Sequence, residues 1–272
     1  MDLKIFQVDA FTSKLFGGNP AAVVPLDTWL PDETMLAIAA ENNLSETAFF
    51  VKDGDGYHIR WFTPTIEVNL CGHATLASAH VIFNELQLED ALIRFHSDRS
   101  GKLPVQRRED SIVLDFPAYA ITEIEPSNAL AKALGKEPQK VWNAINNGVM
   151  AGFETEHDVR GLEPDFQALA KLGYERVYVT APGETCDFAS RMFAPKIGIA
   201  EDPVTGAMHC TLAPYWAKEL GKNELFARQL SKRGGELFCE LAGDRVKIGG
   251  NAVVYMKGEI CVEAGNEKRA AA

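Results

Sequence analysis

The sequence predicts an α+β protein of two similar halves, each a curled, barrel-like and mostly antiparallel sheet wrapped about its own central helix. Three observations carry this expectation. Short segments rich in β-branched and aromatic residues dominate the 272-residue chain. Two helical stretches are small or apolar nearly all round, which marks buried helices. One nine-residue block occurs twice, the second copy 131 positions after the first.

The strand candidates are Lys4 to Val8, Ala48 to Val51, Tyr57 to Phe62, Leu92 to Phe95, Ser111 to Phe116, Arg176 to Thr180, Arg245 to Ile248 and Ala252 to Tyr255. A superficial amphipathic helix is expected from Pro31 to Glu41, where an early Pro and Asp32-Glu33 suit the positive end of the helix dipole. The buried helices are expected from His73 to Phe83 and from Gly206 to Ala217. Pro214 should interrupt hydrogen bonding in the second of them. A helix without a polar face, flanked by strands, implies a sheet curled around it.

The repeated block is Arg60-Trp-Phe-Thr-Pro-Thr-Ile-Glu-Val68 and Arg191-Met-Phe-Ala-Pro-Lys-Ile-Gly-Ile199. Arg, Phe, Pro, Ile and a β-branched residue match in place, and each copy leads through a Gly, Gly72 or Gly206, into a buried helix. The chain therefore reads as a duplication with its boundary near Pro117, giving domains 1–117 and 118–272. Convergent strand composition is the alternative.

Composition narrows the partners. Lys plus Arg number 27 against 38 Asp plus Glu, a formal charge of −11, and no basic stripe exists to neutralise phosphates. No nucleic acid is expected. The first residues alternate and carry acids where a signal peptide needs basic and apolar blocks, and no apolar run reaches the ~18 residues of a membrane span. A cytoplasmic protein that meets no membrane is expected. The five cysteines form no Cys-x-x-Cys pair, so reduced thiols are the default. His73, His80 and His209 have no local ligand pattern, so no metal is expected. Gly17-Gly18-Asn19 lacks any nucleotide-binding spacing.

Two helix-start loops are the candidate chemistry-bearing segments: Asn69 to Thr75, and Glu201 to Ala207. Each carries the chain through Gly into a helix, leaving N–H groups that can receive a carboxylate or phosphate. The surplus negative charge would repel a small anionic metabolite, so its capture would rely on such local groups. Asp202-Pro203 also fits an ordinary helix cap followed by Pro. Asn19 fits a loop turn as well as a substrate contact. Glu46 sits where the superficial helix gives way to an apolar strand; it is either desolvated, which would suit general acid/base work, or a solvated junction residue.

Gly17-Gly18-Asn19-Pro20, Ser45-Glu46-Thr47-Ala48, Arg60-Trp61-Phe62-Thr63-Pro64, Cys71-Gly72-His73-Ala74-Thr75 and Asp202-Pro203-Val204-Thr205-Gly206 occur in the order seen in the PhzF-like (phenazine biosynthesis) isomerases. The resemblance spans nearly the whole chain, and it implies two diaminopimelate epimerase-like domains with a small metabolite held between them. It also implies cofactor-independent isomerisation by proton transfer, with Glu46, His73 and Asp202 as the catalytic residues, Glu46 being the acid/base and the other two acting around the substrate. Gly72, Gly206 and Ala207 would lend backbone N–H groups, and Asn19, Cys71 and Thr205 would join the substrate site. A homodimer is implied too. The phenazine enzyme has Ser where this chain has Ala207, which argues for a different substrate. Two-thiol epimerases of the same fold place Cys before Gly in both loops; here Cys71 matches and Pro203 stands in the second place. A Cys71-dependent epimerase and a non-catalytic protein-binding member of the fold are the rival expectations.

Overall fold

The computed structural model describes residues 1–109 and 111–262. The chain opens with β1 (Asp2–Ala10), β2 (Asn19–Leu26), α1 (Asp32–Asn42), β3 (Glu46–Asp53), β4 (Gly56–Phe62) and β5 (Glu67–Val68). Helix α2 (Gly72–His80) follows, prolonged by one π-helical turn over Val81–Glu85, and then β6 (Leu92–Ser97), β7 (Gly101–Arg108) and β8 (Ser111–Pro117). Next come β9 (Thr122–Ile124), α3 (Asn128–Leu134), β10 (Lys140–Ala144), β11 (Gly148–Gly152), α4 (Glu156–Arg160) and α5 (Phe166–Lys171). The last elements are β12 (Arg176–Pro182), β13 (Phe188–Phe193), α6 (Gly206–Leu220), β14 (Glu224–Gln229), β15 (Gly235–Ala242), β16 (Arg245–Gly250) and β17 (Ala252–Cys261).

These elements gather into two compact units. The first holds Met1–Ala10, Pro20–Ile112 and the segment from Ala252; the second holds Phe11–Asn19 and Val113–Asn251. The units therefore differ from the contiguous halves 1–117 and 118–272 expected from the repeat. Hydrogen bonding explains the exchange. Strand β17 pairs antiparallel with β1 from Asp2↔Cys261 to Ala10↔Ala252, which fastens it to the first unit. The 11–19 segment is held in the second by Thr12 N–H on Asn251 O and by Arg233, which donates to the carbonyls of Gly17 and Gly18.

The duplication is visible as topology. In the first unit β2 runs parallel to β3, β3 antiparallel to β4, β4 parallel to β6, and β6 antiparallel to β7. In the second unit β11, β12, β13, β14 and β15 repeat that sequence of directions. The repeated block thus falls on equivalent strands, β4 and β13, each followed by the helix its own sheet surrounds. Helix α2 is buried from His73 to Ala79 and packs on β1, β3 and β17. Helix α6 is buried along most of its length and packs on β14, β15 and β16.

Each sheet also has an outer layer. Met35, Ile38 and Ala39 of α1 close over Val24, Phe49 and Phe62. In the second unit, Leu130 and Leu134 of α3, Val159 of α4 and Leu169 of α5 close over Val149, Val177 and Phe193. A fully buried side chain of this size contributes ~1.5–3 kcal/mol, so these layers hold the strands that carry the site.

Helix α6 runs through Pro214 to Leu220. The proline lacks the N–H that would bond Cys210 O, and Tyr119 N–H takes that carbonyl instead at 3.0 Å. The expected interruption is therefore met by a partner from outside the helix. No helix among the described residues is long and apolar enough to cross a membrane.

Candidate active site

Glu46 is the first residue of β3. Helix α1 stops at Asn43, which adopts the left-handed conformation at φ 49° and whose N–H bonds Ala39 O. Asn42 Nδ2 donates to Thr47 Oγ1 at 3.1 Å, tying the helix end to the strand start. Side chains alternate along β3, so Phe49 joins the layer under α1 while Glu46, Ala48 and Phe50 share the other face. On that face Glu46 meets α2, with only 15% of its side chain exposed. It is not a solvated junction residue.

Cys71 precedes α2 in an extended conformation, and the N–H and Oγ1 of Thr75 both donate to its carbonyl. The helix start carries no side-chain cap hydrogen bond. Two residues on, His73 Nε2 stands 3.2 Å from Glu46 Oε2. Cys71 Sγ lies 3.5 Å from His73 Nδ1 and 3.9 Å from Nε2. A carboxylate, an imidazole and a thiol are thus gathered in one largely buried cluster, with Gly72 between the latter two.

Burial disfavours an imidazolium at His73, but Cys71 and then the Glu46 carboxylate outweigh it and push its pKa well above the ordinary histidine value. The same burial, with Glu46 adding to it, pushes the Cys71 thiol up to about 11. The helix start therefore does not activate Cys71, because desolvation exceeds the favourable dipole. Cys210 likewise is a buried thiol pushed up to about 12. Cys71 stands two residues from His73 in sequence, and the fold adds the Glu46 carboxylate, so three potential donors meet where the histidine spacing alone gave no ligand pattern.

The second group lies in the second unit. Helix α6 begins at Gly206, capped in position by Thr205 without a side-chain hydrogen bond. Asp202-Pro203 is thus no helix cap; it sits in the loop before the helix, held by Asp202 N–H on Met192 O at 3.0 Å. Asn19 is completely buried, and its Nδ2 donates to Asp202 Oδ1 at 2.8 Å and to Val204 O at 2.9 Å. Asn19 is therefore a strut for the loop and no mere turn. Thr205 Oγ1 donates to Asp202 Oδ2 in a very short bond. Ala207 is exposed at the first turn of α6.

Gln229 completes this loop and was not anticipated. Its Oε1 accepts from Thr205 N–H at 2.7 Å while its Nε2 donates to Asp202 O at 2.8 Å and Thr205 Oγ1 at 3.1 Å. Arg233 and Asn42 were missed as well. None of the three lies in a motif; each acts through a partner distant in sequence. Gly235 permits the close approach, since a Cβ there would lie 2.3 Å from Val204 Cγ2.

The chain is similar to known proteins over nearly its whole length. The family model described as phenazine biosynthesis-like protein matches residues 8–258. An uncharacterized isomerase from Pseudomonas aeruginosa is 51% identical over 260 residues, covering 96% of this chain and 99% of that one. The crystal structure of a PhzF-family phenazine biosynthesis protein from Enterococcus faecalis superposes with a TM-score of 0.94 at 44% identity, covering 96% of this chain and 100% of that one. At 20% identity, a predicted epimerase from Pseudomonas aeruginosa shares the fold with a TM-score of 0.72, covering 96% and 99% of the two chains.

Proposed function

Because the chain belongs to the phenazine biosynthesis-like family of isomerases, we propose that it moves a proton within a small carboxylate-bearing metabolite, with Glu46 as the acid/base. The observation that carries this reading is the 3.2 Å approach of His73 Nε2 to Glu46 Oε2 beside an uncapped helix start. Glu46 removes a proton from carbon and returns it elsewhere on the same molecule. His73 orients the carboxylate and balances its charge through the transfer. The N–H groups of Gly72 and its neighbours receive a substrate carboxylate, at ~0.3–1 kcal/mol for each favourable charge near a helix start. A positioned acid/base of this kind contributes ~10²–10⁴ in rate and requires no cofactor.

Asp202, Asn19, Thr205, Gly206 and Ala207 are assigned to substrate holding in the second unit. Both Asp202 oxygens already accept hydrogen bonds, which suits a group that presents a fixed negative charge better than one that shuttles protons. We place the protein in the cytoplasm as a homodimer; its five cysteines are free thiols.

The test is a panel of small unsaturated acids and amino acids incubated with the protein in D₂O. Isomerised or epimerised product, with solvent deuterium entering at carbon, is expected for at least one of them. Tight binding of a metabolite with neither product nor exchange would overturn the isomerase reading.

A further inference from the structure

We propose that Glu46, Cys71 and His73 also form a binding site for a soft divalent cation of the zinc type. The three residues each offer one donor atom, and these atoms lie within 4.8 Å of one another. A tetrahedral zinc ion has bonds of about 2.3 Å to sulfur, 2.0–2.1 Å to imidazole nitrogen and 2.0–2.2 Å to carboxylate oxygen, so its donor atoms stand roughly 3.4–3.6 Å apart. The observed separations bracket that range: 3.2 Å from Glu46 Oε2 to His73 Nε2 and 3.9 Å from the same nitrogen to Cys71 Sγ. The Glu46 and Cys71 donors lie within 4.8 Å of each other, so rotation of these two side chains is what brings all three donors onto one ion.

Charge and desolvation support the same site. Binding releases two protons to solvent, one from the Cys71 thiol and one from the His73 imidazolium, and the resulting thiolate with the Glu46 carboxylate neutralises the divalent ion while the neutral imidazole ligates it. Cys71 and His73 are buried, and a neutral assembly avoids the cost of an unpaired buried charge. Glu46 Oε2 is buried and turned toward His73 Nε2 at 3.2 Å, so a cation entering the cluster would lie between a carboxylate oxygen and an imidazole nitrogen. Thiolate and imidazole select zinc-like ions over magnesium or calcium, which prefer all-oxygen sites. Three protein ligands leave the fourth tetrahedral position to water or a ligand. A carboxylate engaged by the ion cannot carry a proton, so occupancy and proton transfer exclude each other. That last consequence rests on the isomerase reading; the binding itself does not.

The test uses the full chain stripped with a chelator, in a Cys261→Ser background that removes the exposed thiol. Cobalt(II) is the probe, because its thiolate charge-transfer band and tetrahedral ligand-field bands report coordination directly. One equivalent of cobalt should give both bands, and zinc should displace it. Cys71→Ser should abolish the charge-transfer band. Glu46→Gln and His73→Asn should each weaken cobalt binding at least ~10-fold, the lower end of what even outer-sphere partners contribute. Circular dichroism establishes that each variant is folded. Absence of both bands at saturating cobalt, or a charge-transfer band that survives in folded Cys71→Ser, would overturn the proposal.

Discussion

Arg191 grips Glu201 with one edge of its guanidinium, Nε donating to Oε1 at 2.7 Å and Nη2 to Oε2 at 3.0 Å. Arg60 grips Glu67 in the same manner at 2.8 and 3.0 Å. Each arginine also lies over the phenylalanine two residues on, Phe193 and Phe62. The two arginines of the repeated block therefore make the same kind of pair within each unit, although Glu201 lies just beyond the block and Gly198 stands at the position equivalent to Glu67. Arg191 additionally donates to the carbonyls of Val159 and Leu162, so it joins β13 to the α4 end.

Removing that arginine should be costly. The side chains of Arg191 and Glu201 are 11% and 20% exposed, and deleting one partner of a largely buried pair costs ~3–5 kcal/mol. Arg191→Met should lose that much in urea unfolding, and Arg191→Met with Glu201→Leu should recover part of it. A single variant as stable as wild type would show that the pair contributes little.

Gln229 should matter more to substrate holding than to the proton step. Gln229→Leu leaves Thr205 N–H and Asp202 O without their partner, at ~1–3 kcal/mol for each buried group stranded. With a substrate in hand, KM should rise with kcat less affected. Equal loss of both, with KM unchanged, would assign Gln229 to the chemical step.

His209 sets an acid limit on stability. Its ring is fully buried, Nδ1 bonds Thr205 O at 2.8 Å, and burial holds its pKa down at about 4, partly offset by that carbonyl. Between pH 6.5 and 4 the unfolded chain therefore binds a proton that the folded chain refuses. The stability present above pH 6.5 should fall by about 3 kcal/mol as pH drops to 4, at ~1.4 kcal/mol per unit. His209→Gln should flatten that decline in urea titrations across this window; an unchanged slope would place the acid sensitivity elsewhere.

Alkylation separates the thiol-centred reading. Cys71 is buried with its pKa pushed up to about 11, whereas Cys261 is exposed. Mass spectrometry of the native protein treated with iodoacetamide should find Cys261 labelled first and Cys71 slowly. Rapid labelling of Cys71 with loss of activity would favour a thiol-dependent epimerase.

Much of the fold is legible where one physical signal dominates. The apolar circumference of α2 and α6 announces their burial, and alternation in β3, β4, β12 and β16 announces strands. Strand β2 hides because Pro20, Pro25 and small residues read as loop, and β14 and β15 hide behind Glu224, Arg228, Glu236 and Glu240. Helices α4 and α5 are only five and six residues long and rest on the Thr155 and Asp165 caps. The exchange of β17 and the 11–19 segment between units escapes because it is decided by pairing register. Of the candidate site residues, the motifs single out Glu46, His73 and Asp202. Gln229 was not, since its role arises only when β14 lies beside Ser190 of β13 and brings the amide to the Asp202 loop.

The most direct measurement is turnover by Glu46→Gln in D₂O, counting both isomerised product and substrate labelled with deuterium. Both rates should fall by ~10²–10⁴, the usual contribution of a positioned acid/base, in a protein that remains folded and binds substrate. Either process continuing at the wild-type rate would show that Glu46 does not carry the proton.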